Sequence, residues 1–498
     1  MNYKSTRSDN ISVSASEAIV KGLAADGGLF VPCEFPAVSA DEIQAMAGAD
    51  YKARAKLILK KFLTDFTEAE VDDCVEKAYT AEKFGSDDSA PLYKLSDNDF
   101  VLELWHGPTC AFKDMALQIL PHLLTKSMKK TGVSSEVVIL VATSGDTGKA
   151  ALEGFKDVEG TRIIVFYPVD GVSNIQKLQM VTQAGENVAV AAVEGNFDDA
   201  QSGVKSIFTD KAYGEMLLEN NMVFSSANSI NWGRLVPQIV YYFSAYADLL
   251  AKGEIKNGEE INIVVPTGNF GNILAAYYAR KMGLPVHKLI CASNSNNVLT
   301  DFINTGKYDR NRKFYTTISP SMDILISSNL ERFLYDLTGN DDKTVAKWMS
   351  ALSENGEYTV DDKTLALMKE IMCAGCCNDK ETLTSIADTK KKYDYVTDTH
   401  TAVAVKVCEE YRQQSGDTRK TVIASTASPY KFGDSVLSAL GVTVEGDEFE
   451  VISVLNRESQ LPVPESLASL KSREVRFDEV CAPAKMRDMV KKLLGITE

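Results

Sequence analysis

Along most of this chain, continuous apolar runs alternate with stretches in which apolar residues recur every three or four positions. VVILVA (137–142) is followed by Thr143-Ser144-Gly145-Asp146-Thr147-Gly148 and then by a helical KAALEGF. RIIVFYP (162–168) and VAVAAV (188–193) repeat the pattern, the second leading into DDAQSGVKSIF. INIVVP (261–266) runs into Thr267-Gly268-Asn269-Phe270-Gly271-Asn272 and a helical ILAAYYARKM, and HKLICAS (287–293) and TVIASTA (421–427) are further strand candidates. A strand with no polar alternation is buried on both faces, and helices between such strands imply parallel crossovers. The expected class is therefore α/β with parallel-type sheets covered on both sides. Residues 1–95 have another texture: helical patterns such as AEVDDCVEKAYTAEKF dominate, and they read as a mainly helical unit of their own. A smaller α/β domain is expected over 96–245 and a larger one over 246–498. The charged run Asp388–Lys392 reads as a solvated face.

Ligand sites in parallel sheets lie beyond the carboxyl ends of the strands. Three polar segments, 143–148, 267–272 and 425–429, sit where that rule points, which favours an enzyme. The charge narrows its partners. A net charge of −16 argues against nucleic acid and anionic membranes, and an anionic substrate would need a locally positive pocket. Nine cysteines at irregular spacing do not form a disulfide framework, and the cluster Cys373, Cys376, Cys377 has no second Cys/His pair at metal-site spacing, so no metal is expected. The start MNYKSTRSDNISVSASEAIV lacks the basic-then-apolar profile of an export signal, and no run approaches the ~18 apolar residues of a membrane span. A reducing cytoplasm is the expected setting.

The loops can be read as chemistry. Gly268-Asn269-Phe270-Gly271-Asn272 joins a strand to a helix. Such a turn exposes backbone N–H groups at a positive helix end and cradles phosphate, although glycine there also serves simple backbone freedom. The segment 143–150 is not a nucleotide-triphosphate loop: Thr143 stands where a glycine is required, and Ala150 stands where Ser or Thr must follow the lysine. What remains is a hydroxyl-rich anion nest at a helix start. In Trp105-His106-Gly107-Pro108-Thr109-Cys110-Ala111-Phe112-Lys113-Asp114, a lysine stands at the start of a helical MALQILPHLL. Desolvation and the helix dipole both oppose its charge, which prepares an amine for Schiff-base chemistry.

These motifs together resemble one family. His-Gly-Pro-Thr-x-Ala-Phe-Lys-Asp, Thr-Ser-Gly-Asp-Thr-Gly and Gly-Asn-Phe-Gly-Asn, in that order, resemble the threonine synthase family of fold type II pyridoxal-phosphate enzymes. SEAIVKGLAADGGLFVP (16–32), SINWGRLVPQIVYYF (229–243) and DTHTAVA (398–404) are similar to other segments of that family. The resemblance implies pyridoxal 5'-phosphate as cofactor and Lys113 as its Schiff-base partner and catalytic residue. Gly268, Asn269, Phe270, Gly271 and Asn272 would hold the cofactor phosphate, Thr426 would face the ring nitrogen, and Phe112 would pack beside the ring. Asp146 would lie near the phenolic oxygen, where a carboxylate is electrostatically awkward, and Ser144 would be a further cofactor contact. O-phosphohomoserine is the implied substrate, with Ser144, Thr147, Lys177 and Arg234 as candidate contacts. Lys177 and Arg234 are equally readable as ordinary ion-pair residues. His400 caps a helix or lines the cofactor pocket, with the first reading favoured. A serine/threonine dehydratase is the alternative, and oligomeric state is left open.

Overall fold

The computed structural model describes residues 1–169 and 172–496. Two mainly parallel sheets form its frame. The larger has the strand order Met372–Cys376, Val286–Ser293, Ile261–Pro266, Thr421–Ser425, Asp99–Glu103, Leu92–Lys94; only the last pair is antiparallel. The smaller has the order Val480–Cys481, Val188–Val193, Thr161–Pro168, Glu136–Ala142, Met222–Ser225, all parallel. Every residue of Ile261–Pro266 and Thr421–Ser425 is buried, as their unbroken apolar character requires. The α/β class with parallel-type sheets is thus what the chain adopts.

The expected domain limits at 96 and 246 do not follow these sheets. Asp99–Glu103 pairs with Thr421–Ser425 in the larger sheet. Val480–Cys481, from the far end of the chain, pairs with Val188–Val193 in the smaller one. Both are short strands whose partners are distant in sequence, so local pattern could not assign them.

The amino-terminal region is mainly helical, as expected, with one small antiparallel sheet of Ser12–Val13, Tyr3–Ser5 and Phe30–Pro32. Its helices Ala15–Lys21, Ala40–Met46 and Glu68–Ala78 each start at a reciprocal cap, from Ser14 with Glu17, Ser39 with Glu42 and Thr67 with Glu70. Such caps satisfy two orphan N–H groups at once. The helix Trp232–Ala251 is buried along nearly its whole length. A helix that is apolar all round belongs in a core, and this one packs against helices Tyr51–Phe62, Asp114–Leu117 and Gly271–Lys281. A buried Arg54–Asp248 pair at 2.7 Å ties it to the amino-terminal unit. The Cys373 and Cys377 thiols, on and just after an edge strand, are pushed up to about 12 by burial.

Candidate active site

Three adjacent parallel strands deliver three of the expected loops to one edge. Asp99–Glu103 leads to Lys113, Thr421–Ser425 leads to Thr426, and Ile261–Pro266 leads to residues 267–272. In the facing sheet, Glu136–Ala142 leads to residues 143–148, and Met222–Ser225 leads to the loop before Arg234. All five exits are carboxyl ends, where the strand-end rule expects a ligand.

Lys113 stands immediately before the short helix Asp114–Leu117. The Phe112 N–H donates to the Thr426 carbonyl at 2.8 Å, and Ala111 bridges Ala427. The lysine and Thr426 are therefore locked side by side. The Lys113 Nζ lies 5.0 Å from the centre of the Phe112 ring and 3.9 Å from Asp146 Oδ2. Burial pulls its pKa below the ordinary lysine value; Asp146 opposes this, and Arg234 and Lys431 add to it. A larger uncharged fraction is what a nucleophilic lysine needs.

Asp146 is not left to face the site as a bare charge. Lys431 Nζ sits 3.0 Å from its Oδ1, and Gln176 Nε2 donates to the same oxygen at 2.9 Å. Burial alone would raise this carboxyl. Lys431, then Lys113 and Gln176, overcome it and hold the group ionised below the usual range. The awkwardness expected of an aspartate here is removed by a buried cation behind it. Lys431 also donates to Gln179 Oε1 at 2.5 Å. Gly145, with φ 136°, lets the Gln176 amide approach: a Cβ there would stand 2.4 Å from it.

The helix Asp146–Phe155 begins at that glycine. The Thr143 hydroxyl accepts the N–H groups of Gly145 and Gly148 at 3.0 and 2.9 Å. The N–H groups of Ser144, Asp146 and Thr147 donate to no acceptor among the described residues, and the Ser144 and Thr147 side chains are half-buried beside them. Across the site, the N–H groups of residues 268–272 likewise have no acceptor among the described residues. Phe270 adopts φ 63°, and Gly268 passes so near Ser321 that a Cβ would stand 2.7 Å from its carbonyl. Asn272 Oδ1 accepts from Tyr241 and Tyr242 at 2.7 and 2.5 Å, which leaves its buried Nδ2 without a partner. Free N–H groups plus one orphaned amide at a helix start make a set of donors for a phosphate. With the buried amine of Lys113 on the same strand-end edge, they fit pyridoxal phosphate.

Arg234, in the first turn of the central helix, is 3% exposed and has no carboxylate partner among the described residues. Its Nη1 donates to the Ala227 carbonyl at 2.8 Å, and its Nε is unpartnered. Burial lowers it to about 10. A buried cation without a counter-ion is costly and suits an anionic ligand. Lys177 differs: it is exposed, while Gln176 and Gln179 of the same helix, Asn174–Val181, are buried. The structure does not bring Lys177 into the cluster.

Three family profiles match in chain order: the threonine synthase amino terminus over residues 2–79, the pyridoxal-phosphate-dependent enzymes over 91–387, and the threonine synthase carboxyl-terminal region over 401–493. Threonine synthase of Pseudomonas aeruginosa is 39% identical over 440 residues, 88% of this chain and 90% of that protein. The chain belongs to the threonine synthase family. The crystal structure of pyridoxal-phosphate-bound threonine synthase from Brucella melitensis superposes with a TM-score of 0.88 at 36% identity, covering 99% of both chains. Human threonine synthase-like 1 is 43% identical over 437 residues; they make up 86% of this chain but 58% of that longer protein.

Within this family frame, Lys113, Phe112, Ser144, Asp146, Thr147, Arg234, residues 268–272 and Thr426 all lie on the strand-end edge. Lys431, Gln176 and Gln179 escaped the sequence reading. Lys431 was signalled only by following the third strand exit within five residues of Thr426. The glutamines were signalled by helical spacing, which puts 176 and 179 on one face and 177 on another. His400 is buried in the first turn of helix Thr399–Ser415. The cap itself is Asp398, which accepts the His400 and Thr401 N–H groups. The His400 Nδ1 lies 3.0 Å from Asp398 Oδ1, and its Nε2 accepts the Ser321 N–H at 3.1 Å. It thereby sets the segment that crowds Gly268.

Proposed function

We propose that this chain converts O-phosphohomoserine and water to threonine and inorganic phosphate, with pyridoxal phosphate bound at Lys113. The observation that carries this reading is the buried lysine, its pKa lowered by desolvation, between two separate sets of N–H donors that lack partners among the described residues. One set suits the cofactor phosphate, and the other, with Arg234, suits a substrate bearing two anions.

Pyridoxal phosphate, when bound, supplies a carbonyl for the substrate amine and an electron sink for the adjoining carbon. Residues 268–272 and the Asn272 amide would hold its phosphate, Thr426 would be the partner of its ring nitrogen, and Phe112 would pack beside its ring. A neutral hydroxyl at that nitrogen moderates the sink. Ser144, Thr147 and the helix start at Asp146 hold the substrate carboxylate. Arg234 takes the substrate phosphate, where one charge-assisted bond to a desolvated anion is worth about 2–5 kcal/mol. Lys113 takes the proton from Cα and carries protons along the carbon chain. A proton leaves Cβ as phosphate departs from Cγ with its bridging oxygen. Cγ then gains a proton, water oxygen joins Cβ, and Cα regains its proton. Asp146, held ionised by Lys431, keeps a fixed negative charge beside the lysine through these transfers. The free thiols agree with a reducing cytoplasm.

The test is turnover of O-phosphohomoserine in heavy water. Threonine with deuterium at Cα and in the methyl group, and stoichiometric inorganic phosphate, are expected. Ammonia and 2-oxobutyrate as main products would assign the chain to the dehydratase reaction instead, and an unlabelled methyl group would refute delivery of the Cγ proton from a solvent-exchanging group.

A further inference from the structure

The amino-terminal sheet makes two polar anchors to the main body at consecutive residues. Arg332 is fully buried in helix Leu330–Leu337 and has no carboxylate partner among the described residues. Its Nε donates to the Phe30 carbonyl at 3.0 Å, its Nη1 to Asn329 Oδ1 at 2.6 Å, and its Nη2 to the Ile230 carbonyl at 2.6 Å. Those three acceptors belong to the amino-terminal sheet, the segment against the 268–272 turn, and the loop entering the helix of Arg234. The neighbouring Glu331 accepts Arg7 Nε and Nη2 at 2.8 and 2.7 Å and the Thr6 hydroxyl at 2.5 Å. Thr6 and Arg7 directly follow strand Tyr3–Ser5, whose Ser5 pairs with Phe30. Both anchors therefore come from one pair of strands.

We infer that the amino-terminal sheet is a buttress for the phosphate-binding turn, with Arg332 as the positioning residue. A guanidinium can only donate, so it fixes the Asn329 amide with its oxygen inward. The amide nitrogen must then face the Asn269 carbonyl at 3.1 Å and Ser229 Oγ at 3.3 Å. The Asn329 N–H donates to the same carbonyl at 3.1 Å, and the Ser327 hydroxyl takes the Gly268 carbonyl at 2.7 Å. With these carbonyls tied down, the turn keeps its N–H groups free and Phe270 keeps a strained left-handed backbone. Such strain persists only where the surroundings over-determine it. Lysine cannot replace arginine here, because one ammonium cannot span three acceptors on separate segments in one plane.

The inference rests on residues 268–272 holding the cofactor phosphate. It is tested by titrating the apoenzyme with pyridoxal 5'-phosphate and with pyridoxal, which lacks the phosphate, and following absorbance. The wild type should bind the phosphorylated form much more tightly. Arg332→Lys should weaken pyridoxal phosphate binding about tenfold or more, the scale of one buried group losing its partner, and change pyridoxal binding less than about threefold. Glu331→Gln with Arg7→Gln, which leaves the turn's own contacts in place, should give the same selective loss in smaller measure. This pair decides the matter if Arg332→Lys does not fold. Equal losses for both ligands, or no loss for either, would overturn the inference. A wild type that does not discriminate between the two would instead overturn the assignment of the turn to the phosphate.

Discussion

Replacing Lys431 by methionine isolates the electrostatics of the site. Lys431 and Asp146 are buried and 3.0 Å apart, and Asp146 Oδ2 lies 3.9 Å from the Lys113 amine. In the wild type, Asp146 is shared between Lys431 and Lys113. Lys431→Met both removes a cation that depresses the Lys113 pKa and gives Lys113 an unshared carboxylate. Two unit charges at about 4 Å with an effective dielectric of about 20 interact by about 4 kcal/mol, an upper bound on the repulsion that Lys113 loses with Lys431, and each pKa unit is worth about 1.4 kcal/mol. After relaxation, the Lys113 midpoint should rise by about 1–3 units. Leaving one buried charge of a pair also costs about 3–5 kcal/mol of stability. The assay is competitive acetylation of the apoenzyme across pH, with the Lys113 peptide quantified by mass spectrometry. Adding Asp146→Asn to Lys431→Met should bring the midpoint back down and recover part of the stability. A Lys113 midpoint unchanged or lowered in Lys431→Met would refute the coupling of these three groups.

Lys113→Ala should abolish borohydride-trappable cofactor and turnover, as read by absorbance and phosphate release. Arg234→Ala should weaken binding of substrate and of phosphate as product inhibitor by about 2–5 kcal/mol, whereas Lys177→Ala should leave both within twofold; inhibition kinetics separate the two. Gly268→Ala must displace the Ser321 carbonyl, which a Cβ would approach to 2.7 Å, and should lower cofactor affinity and melting temperature together. Asp114 is raised to about 7 by burial, despite the N–H and hydroxyl of Thr109 donating to it. A group raised in the folded state stabilises below its unfolded pKa and loses that contribution as pH climbs through the folded value. Stability should therefore decline from about pH 4 to pH 7 by up to about 1.4 kcal/mol per unit, and Asp114→Asn should flatten that decline in urea titrations.

The strands of both sheets that are long and apolar throughout were legible, because burial on two faces leaves a run with no polar interruption. VAVAAV and INIVVP coincide with Val188–Val193 and Ile261–Pro266. The strands that were not legible are short and edge-placed or borrowed from remote sequence, such as Met372–Cys376, Leu92–Lys94 and Val480–Cys481. AEVDDCVEKAYTAEKF has a helical pattern throughout, and the chain forms two helices there, Glu68–Ala78 and Ala81–Phe84, because the Thr80 side chain accepts the Lys83 N–H and starts the second. In the site, backbone-cradle residues announce themselves through glycine and helix-start grammar. Lys431 and Arg332 do not, because their decisive partners, Asp146 and Gln179 for the one and Phe30 and Ile230 for the other, lie a hundred or more residues away, and only the fold makes their charge meaningful.

The pairing of Val480–Cys481 beside Val188–Val193 joins residues about 290 positions apart, and Asp99–Glu103 waits about as long for Thr421–Ser425. At synthesis rates of about 5–20 residues per second, each early strand spends on the order of 15 to 60 s without its neighbour. During that interval VAVAAV is an apolar edge with open hydrogen bonds, the kind of surface that recruits chaperones or another nascent chain. Neither half of the molecule can finish early. Lys113 and Thr426 come side by side only when the late strand slots in, so a stalled or shortened product would carry the reactive lysine without the environment that governs it.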